Sequence, residues 1–584
     1  MDPLFSPVRI GGVELRNRIV FPPMTTRLAG ADGAVTDELV AYYRARAAGG
    51  AGLVTVEMAS PEPAGRHRRH ELGIADDRFL PGLRRLAAAI HADGAHASLQ
   101  LGHGGSRAPR AVSGTTPVAP SAVPTRVTEV ESYLVEPEAM SIARVEAARD
   151  AFARAARRVQ EAGFDCVELH GAHGYLVSQF LAPAENRRTD RYGGPLENRA
   201  RFALELIGAV KAAAPDIAVI FRLGVEDFFD GGVTLDEGVR VAAWAAAAGA
   251  DCVSVTAGHY RSVPSAERMI PPMAYPEGTF VEYAAAVRER VEVPVIAVGR
   301  LGDPERAREV IAGGRADLVV LGRTLLADPE WPNRVRAGEP VRRCLSCNYC
   351  VNTMRAGERI SCAVNGAAGR ELAFADPRPP HDERIVVVGA GPAGLSYASL
   401  VADGNRVEVL EREAEPGGAF RYTGKAPLFG EVAARGAAFE AYVRELERAC
   451  RRQGVRFHYS TAASPALLAR FDRVVLATGA RYRLGAGPLV RRLLDAGAGK
   501  TRLARNLFAR PQVRSWFYYR ARRGTAQQAR AAVPPGPLVM VIGDAARAGT
   551  AREAVAGAFR AALLGEEGGP GAQMSLPAAQ PPST

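Results

Sequence analysis

From residue 18 to about 337 one unit recurs eight times: a short β-branched run, a Gly, Pro or polar turn, then a segment of helical period. The runs are Arg18–Met24, Gly52–Met58, His96–Leu101, Cys166–Gly171, Ala218–Leu223, Cys252–Gly258, Val293–Gly299 and Asp317–Gly322. Each is mostly apolar without strict alternation, the pattern of a parallel strand covered on both faces. Helices read clearly between them, as at Ser141–Ala162 and Leu196–Ala213. Eight such units predict an α/β fold with a closed (β/α)8 barrel. An open doubly wound sheet is the fallback, weakened by the repeat count and by the lack of an early phosphate-binding glycine fingerprint.

A barrel of this kind carries its chemistry at the carboxyl ends of its strands. Those ends hold Pro23-Met24-Thr25, Glu57-Met58, Gln100, His170 with His173 and Tyr175, and Arg222. His259-Tyr260, Gly299-Arg300 and Gly322-Arg323 follow. The last two pairs sit after strands seven and eight, where backbone N–H groups and arginine commonly hold a phosphate. Singly each has a bland reading: a strand-end His as a structural hydrogen-bonding residue, a Gly-Arg as a turn. Together they predict an active site.

His170-Gly171-Ala172-His173-Gly174-Tyr175-Leu176, with Asn186-Arg187-Arg188-Thr189-Asp190-Arg191-Tyr192-Gly193-Gly194 and Glu197-Asn198-Arg199, resembles the signature of the old yellow enzyme family. The resemblance spans the barrel. It implies bound FMN and reduction of activated C=C bonds, or related flavin oxidations. By that resemblance Thr25 tunes the flavin, Gln100 meets its pyrimidine ring, and Arg222 lies beside N1 and O2. Pro23, Met24 and Met58 line the cofactor, while Gly299, Arg300, Gly322 and Arg323 hold its phosphate. Reduction of an enone builds negative charge on the carbonyl oxygen, so two imidazoles, His170 and His173, suit a carbonyl clamp. Tyr175, a phenol of ordinary pKa near 10, suits protonation of the α-carbon, with packing on the flavin as its simpler role. Tyr260 stands where relatives acting on dienoyl-CoA thioesters carry His, so it joins the expected catalytic group.

Cys344, Cys347, Cys350 and Cys362 form C-x2-C-x2-C-x11-C. Three thiolates in one short loop suit a [4Fe–4S] cubane, whereas structural zinc more often uses two separated knuckles. The spacing resembles the iron–sulfur branch of the same family, which includes 2,4-dienoyl-CoA reductase and trimethylamine dehydrogenase. The amine dehydrogenases of that branch tether FMN through a cysteine near strand one. Phe21-Pro22-Pro23-Met24-Thr25-Thr26 has none, so covalent FMN is not expected. Cys166, Cys252 and Cys450 read as buried spectators.

Arg384-Ile385-Val386-Val387-Val388-Gly389-Ala390-Gly391-Pro392-Ala393-Gly394 reads as strand, G-x-G-x-x-G and helix start, with Glu411 ending the next strand, Arg406–Leu410. The glycines let a pyrophosphate approach the helix N-terminus while the acid accepts from ribose hydroxyls. Gly389, Gly391, Ala393, Gly394, Glu411, Arg412, Gly418, Gly543 and Asp544 resemble the FAD-binding pattern of the two-dinucleotide-fold reductases. Those relatives insert a second Rossmann unit for NAD(P)H between Ala477-Thr478-Gly479 and Gly543-Asp544. Here Ala480–Met540 contains no second glycine fingerprint and is rich in Arg and Ala. A βαβ unit alone takes about 30 residues, so the NAD(P)H domain is expected to be degenerate or absent, and the remaining site to hold FAD or only ADP.

The expected domain order is a barrel at 1–338, a cysteine segment at 339–372 and a linker at 373–383. A dinucleotide domain at 384–480 and 536–567, a reduced insert at 481–535 and a disordered tail at 568–584 complete it. At 584 residues the chain exceeds one core. Its net charge of +11 is carried by arginine, with Lys211, Lys425 and Lys500 the only lysines. The arginines are read as scattered over helix faces, which predicts neither a nucleic-acid nor a membrane partner. No secretory signal or bilayer-spanning run is visible, and an odd cysteine count with four clustered fits a reducing cytoplasm. The favoured expectation is a flavin- and iron–sulfur-dependent reductase of an enone or enoyl thioester, with NAD(P)H as a possible electron donor. The alternative is an amine or small-molecule dehydrogenase that passes electrons to an external carrier protein. The sequence carries no code for the oligomeric state.

Overall fold

The computed structural model describes residues 2–126, 134–429 and 431–566. The expected tail at 568–584 therefore lies outside the described residues. Two compact units emerge. The first comprises Met1–Cys362, Ala368–Ala373 and Gly430–Ala433; the second comprises Ala363–Ala367, Phe374–Phe429 and Ala434–Thr584.

The first unit is a closed, all-parallel barrel. Its strands are β1 (Ile19–Phe21), β2 (Leu53–Ala59), β3 (His96–Leu101), β4 (Cys166–Gly171), β5 (Ala218–Gly224), β6 (Cys252–Thr256), β7 (Val295–Ala297) and β8 (Leu318–Val320). Each pairs with the next and β8 closes on β1. Several strands are shorter than their apolar runs. β1 stops where Pro22 and Pro23 have no N–H to give the ladder. β8 stops where a helix begins at Gly322. A register shift between Val56 and Ala59 marks a bulge in β2 that re-aims Glu57 and Met58.

Local sequence explains the crossover helices. Ser141 caps the helix Ile142–Glu161 by accepting from the Arg144 N–H, and Thr234 with Glu237 forms a capping box ahead of Leu235–Ala247. A hairpin absent from the sequence reading, Val8–Ile10 paired with Val13–Leu15, packs Ile10 and Leu15 against the first residues of the strands: Leu53, Cys166, Ala218 and Cys252. It plugs the amino end of the barrel. Cys166 and Cys252 are core residues there, and burial pushes both thiols well up.

The second unit holds a five-stranded parallel sheet: β9 (Arg384–Val388), β10 (Arg406–Leu410), β11 (Arg456–His458), β12 (Arg473–Leu476) and β13 (Leu538–Val541), in the order β11-β10-β9-β12-β13. This is a Rossmann-type order. Between β12 and β13 the chain forms short helices and one two-residue antiparallel pair, Arg481–Tyr482 with Arg522–Arg523, and no second parallel sheet among the described residues. No helix of the described chain is long and apolar enough to cross a membrane.

Ile220 is fully buried in the barrel core. Ile220→Ala is expected to destabilise the barrel by about 2–5 kcal/mol, read as a lower midpoint of its transition in urea followed by near-UV circular dichroism.

Candidate functional site

The carboxyl ends of the strands open into one cavity of about 240 Å³. Its wall includes Pro23, Met24, Thr25, Met58, Gln100, His170, His173, Tyr175, Arg222, Tyr260, Gly299, Arg300, Gly322 and Arg323. Every barrel residue singled out for catalysis or flavin binding is thus on a single wall, which a water molecule, needing about 15 Å³, could not fill.

Strand register sets the floor. Glu168 faces Gln100 on β3, and His170 faces Arg222 on β5. Gln100 donates to Glu168 at 2.7 Å. Arg222 Nη1 makes no hydrogen bond and lies 4.0 Å from Glu168. A buried guanidinium nitrogen without a partner is costly, so this position is chemically suited to an acceptor supplied from outside the chain.

Past β4 the backbone turns sharply. His173 (φ 65°) and Gly174 (φ 82°) are both left-handed, and a Cβ on Gly174 would lie 2.4 Å from the His259 ring. The turn brings His170, His173 and Tyr175 together, with ring centroids 5.2 Å apart for the two histidines and 5.0 Å for His170 and Tyr175. Tyr260 stands 6.0 Å from Tyr175. Burial first, then Arg222 and neighbouring imidazoles, hold both His170 and His173 well below the usual histidine range, so both are neutral. His173 Nε2 meets Thr256 Oγ1 at 3.1 Å, while His170 Nδ1 has no partner.

Arg68 was not singled out from the sequence. It reaches in from the loop after β2, donating to Thr25 Oγ1 at 2.5 Å and to the Tyr175 hydroxyl at 3.1 Å. His67 packs edge-on against Tyr175 at 5.0 Å. The only available signal was the basic run His67-Arg68-Arg69-His70, whose spacing carries no motif.

At the far end of the cavity Gly299 has φ 113° and Arg300 φ 57°, a conformation a side-chain-bearing residue keeps only when its surroundings enforce it. Arg300 Nε donates to Ser346 and Arg323 to Asn348 and the Pro271 carbonyl. Both arginines therefore lean on the cysteine loop. Cys344 and Cys350 also line the cavity. Burial and mutual repulsion among the four thiols push Cys347 well up and Cys350 to about 12. Among the described residues no group of three His, Cys, Asp or Glu side chains stands close enough to hold a metal ion.

In the second unit Gly389 (φ 112°) leads into the helix Pro392–Val401, and a Cβ there would strike the Ala477 carbonyl at 2.5 Å. A Cβ on Gly394 would strike the Gly389 carbonyl, one on Gly543 would meet Ala393 at 2.7 Å, and Gly391 and Gly418 face each other. This is a cradle that side chains would fill. Glu411 accepts from the Ala390 and Glu413 N–H groups at 2.8 and 3.0 Å. Arg412 is exposed beside Glu413. Asp544 accepts from Arg522 at 2.9 Å and from the Gly549 N–H at 3.1 Å.

Residues 3–341 match the profile of the NADH:flavin oxidoreductase / NADH oxidase family, and residues 387–439 that of an NAD(P)-binding Rossmann-like domain. The chain belongs to the NADH:flavin oxidoreductase / NADH oxidase family. It is an oxidoreductase and a flavoprotein. It is 39% identical over 489 residues to NADH oxidase of Thermoanaerobacter brockii, covering 82% of this chain and 72% of that protein. With cinnamate reductase of Clostridium sporogenes it shares 32% identity over 508 residues, 82% of this chain and 74% of the relative. The fold is that of a 2-naphthoyl-CoA reductase, with a TM-score of 0.85 at 23% identity over 96% of this chain and 99% of the other.

Glu57 is fully enclosed at the end of β2, accepting from the Thr26 N–H and hydroxyl at 2.5 and 3.0 Å. Burial outweighs these bonds and raises its carboxyl to about 7. Unfolded, the group ionises near its ordinary value, so the folded state holds the extra proton between about pH 4.5 and 7 and stability falls as pH rises through that window. Thermal unfolding across this range should show a shallower pH dependence for Glu57→Gln than for the wild type, the difference amounting to up to about 3 kcal/mol.

Proposed function

We propose that this enzyme reduces an activated C=C bond, in an enone or an enoyl or dienoyl thioester. The observation that carries the reading is the convergence of two neutral imidazoles, a tyrosine hydroxyl and Arg68 on one cavity wall. FMN, when bound there, supplies the hydride for the β-carbon. Arg222, with its unpartnered Nη1, suits the flavin's electron-rich edge, beside Gln100, Thr25, Pro23, Met24 and Met58. Gly299, Arg300, Gly322 and Arg323 suit the phosphate. His170 and His173, being neutral, donate N–H to the substrate carbonyl as charge develops on its oxygen. Tyr175 gives its proton to the α-carbon, its phenol oriented by the Arg68 hydrogen bond, and Tyr260 closes the pocket beside it.

The charge of the wall bears on the substrate. Arg68, Arg222, Arg300, Arg323 and Arg343 line the cavity against one carboxylate, Glu277. Such a field favours a carbonyl, carboxylate or thioester over the ammonium group that the alternative, amine oxidation, would bring. Cys344, Cys347, Cys350 and Cys362 would hold a [4Fe–4S] cluster, which supplies single-electron transfer. In the second unit, the cradle of Gly389, Gly391, Ala393, Gly394, Gly418 and Gly543, with Glu411 and Arg412, suits a dinucleotide. The ion pair of Arg522 with Asp544 favours ADP over FAD there, because Asp544 is the acid expected to meet the flavin end.

Tyr175→Phe is expected to lower substrate-dependent reoxidation of the reduced enzyme by about 10²–10⁴-fold while leaving substrate binding intact. Unchanged reoxidation in anaerobic stopped flow would remove the acid role. Anaerobic NADH or NADPH should bleach the flavin if the chain works as a reductase; bleaching by an amine alone would favour the alternative. Cys347→Ser should lose iron and acid-labile sulfide together yet keep FMN, as read by metal analysis and cofactor extraction.

A further inference from the structure

The reading of arginine as scattered fails for one segment. Residues 481–535 contain thirteen Arg or Lys residues and one acidic residue, Asp495, a net charge of +12. The chain as a whole carries +11, so everything outside this segment sums to −1. Asp495 is itself paired with Lys425 at 2.7 Å. Among the described residues Arg492, Arg502, Arg505, Arg510, Arg520 and Arg523 are exposed and make no ion pair.

Exposed apolar side chains gather in the same place. Nine large hydrophobic residues are exposed in the described chain, and five of them, Leu489, Leu493, Leu503, Leu507 and Trp516, fall within this segment. The two helices that carry the leucines, α1 (Gly487–Asp495) and α2 (Arg502–Ala509), are built alike. Val490 and Leu494 of α1, and Ala504 and Phe508 of α2, are half-buried in the domain. Leu489 with Leu493, and Leu503 with Leu507, repeat at i, i+4 and are left outside, Leu503 at 80% exposure. Arginines flank both stripes, and Trp516 follows at 57% exposure.

We propose that residues 481–535 form a docking surface for an anionic phospholipid bilayer. Leucine stripes bordered by guanidinium groups, with a nearby tryptophan, match the chemistry of segments that lie at headgroup depth, the apolar side chains entering the acyl boundary while arginines meet lipid phosphates. A second copy of this chain is a poor occupant, because the same +12 surface would face itself. Nucleic acid would use the arginines but would leave four leucines in water. The segment belongs to the second unit and the barrel chemistry to the first, so the inference does not depend on the substrate class proposed above.

Flotation of the full-length holoenzyme with vesicles tests it. Vesicles of phosphatidylcholine containing phosphatidylglycerol should carry the protein upward, pure phosphatidylcholine vesicles should not, and added salt should weaken the association. The quadruple variant Leu489→Gln, Leu493→Gln, Leu503→Gln, Leu507→Gln keeps every charge and should partition on the order of a hundredfold more weakly, with FMN content and thermal stability unchanged. Absence of flotation with the anionic vesicles overturns the proposal. So does undiminished binding by the quadruple variant, which would reduce the surface to a generic polyanion site. Retention on an immobilised acidic protein without flotation would reassign it to a protein partner.

Discussion

A parallel strand covered on both faces leaves a polar side chain access to water only at its ends, and here the hairpin plugs the amino ends. Closing eight such strands into a ring therefore sorts the sequence by itself: Ile220, Leu53 and Ile296 fill the interior, while Gln100, His170 and Arg222 emerge together. The sorting is incomplete at one point. Arg222 and Glu168 lie in the floor 4.0 Å apart, too far for a full ion pair, and Gln100 takes one Glu168 oxygen. A guanidinium left in that state is stabilised by a further acceptor, and the cavity above is where one would sit.

The same ring enforces the protonation states. His170 and His173 are neutral because the wall that brings them together also strips them of water and sets other positive or ring-bearing groups beside them. These are Arg222, His67 and Arg68 for His170, and His170, Arg222 and His259 for His173. A neutral imidazole gives a hydrogen bond without giving up charge balance, which suits an oxygen that becomes negative only during reaction. Left-handed His173 and Gly174 are the backbone cost of that arrangement, since an extended path would carry Tyr175 away from His170.

Much of this was legible in the sequence because strand periodicity and the His170–Glu197–Arg199 signature are local. The eight runs mapped onto eight strands, shortened where proline or a helix start ended pairing. Arg68 was not legible: its partners Thr25 and Tyr175 are 43 and 107 residues away, and only the closed ring makes them neighbours. The hairpin that plugs the barrel was missed for a similar reason, because three-residue strands carry too little period to read. The charge of residues 481–535 was countable from sequence alone. The exposure of its leucines was not legible, because apolar residues at i, i+4 on a helix face a core as readily as solvent until the structure shows those side chains outside.

The segment's placement follows from how a Rossmann sheet tolerates loss. β12 pairs with β13 in parallel, so the chain leaving β12 must cross over before it returns, whatever lies between. A second nucleotide domain would satisfy that crossover with its own buried sheet. Arginine at every few positions cannot line such a sheet, and the chain instead joins its departing and returning ends through the pair Arg481 with Arg523 and Tyr482 with Arg522. That pair sets Arg522 beside Asp544 and fixes the rest as helices buried on one side only. Reduction of the crossover thus has two linked results: an acid near the nucleotide cradle is engaged by the chain's own arginine, and two apolar stripes are left facing outward.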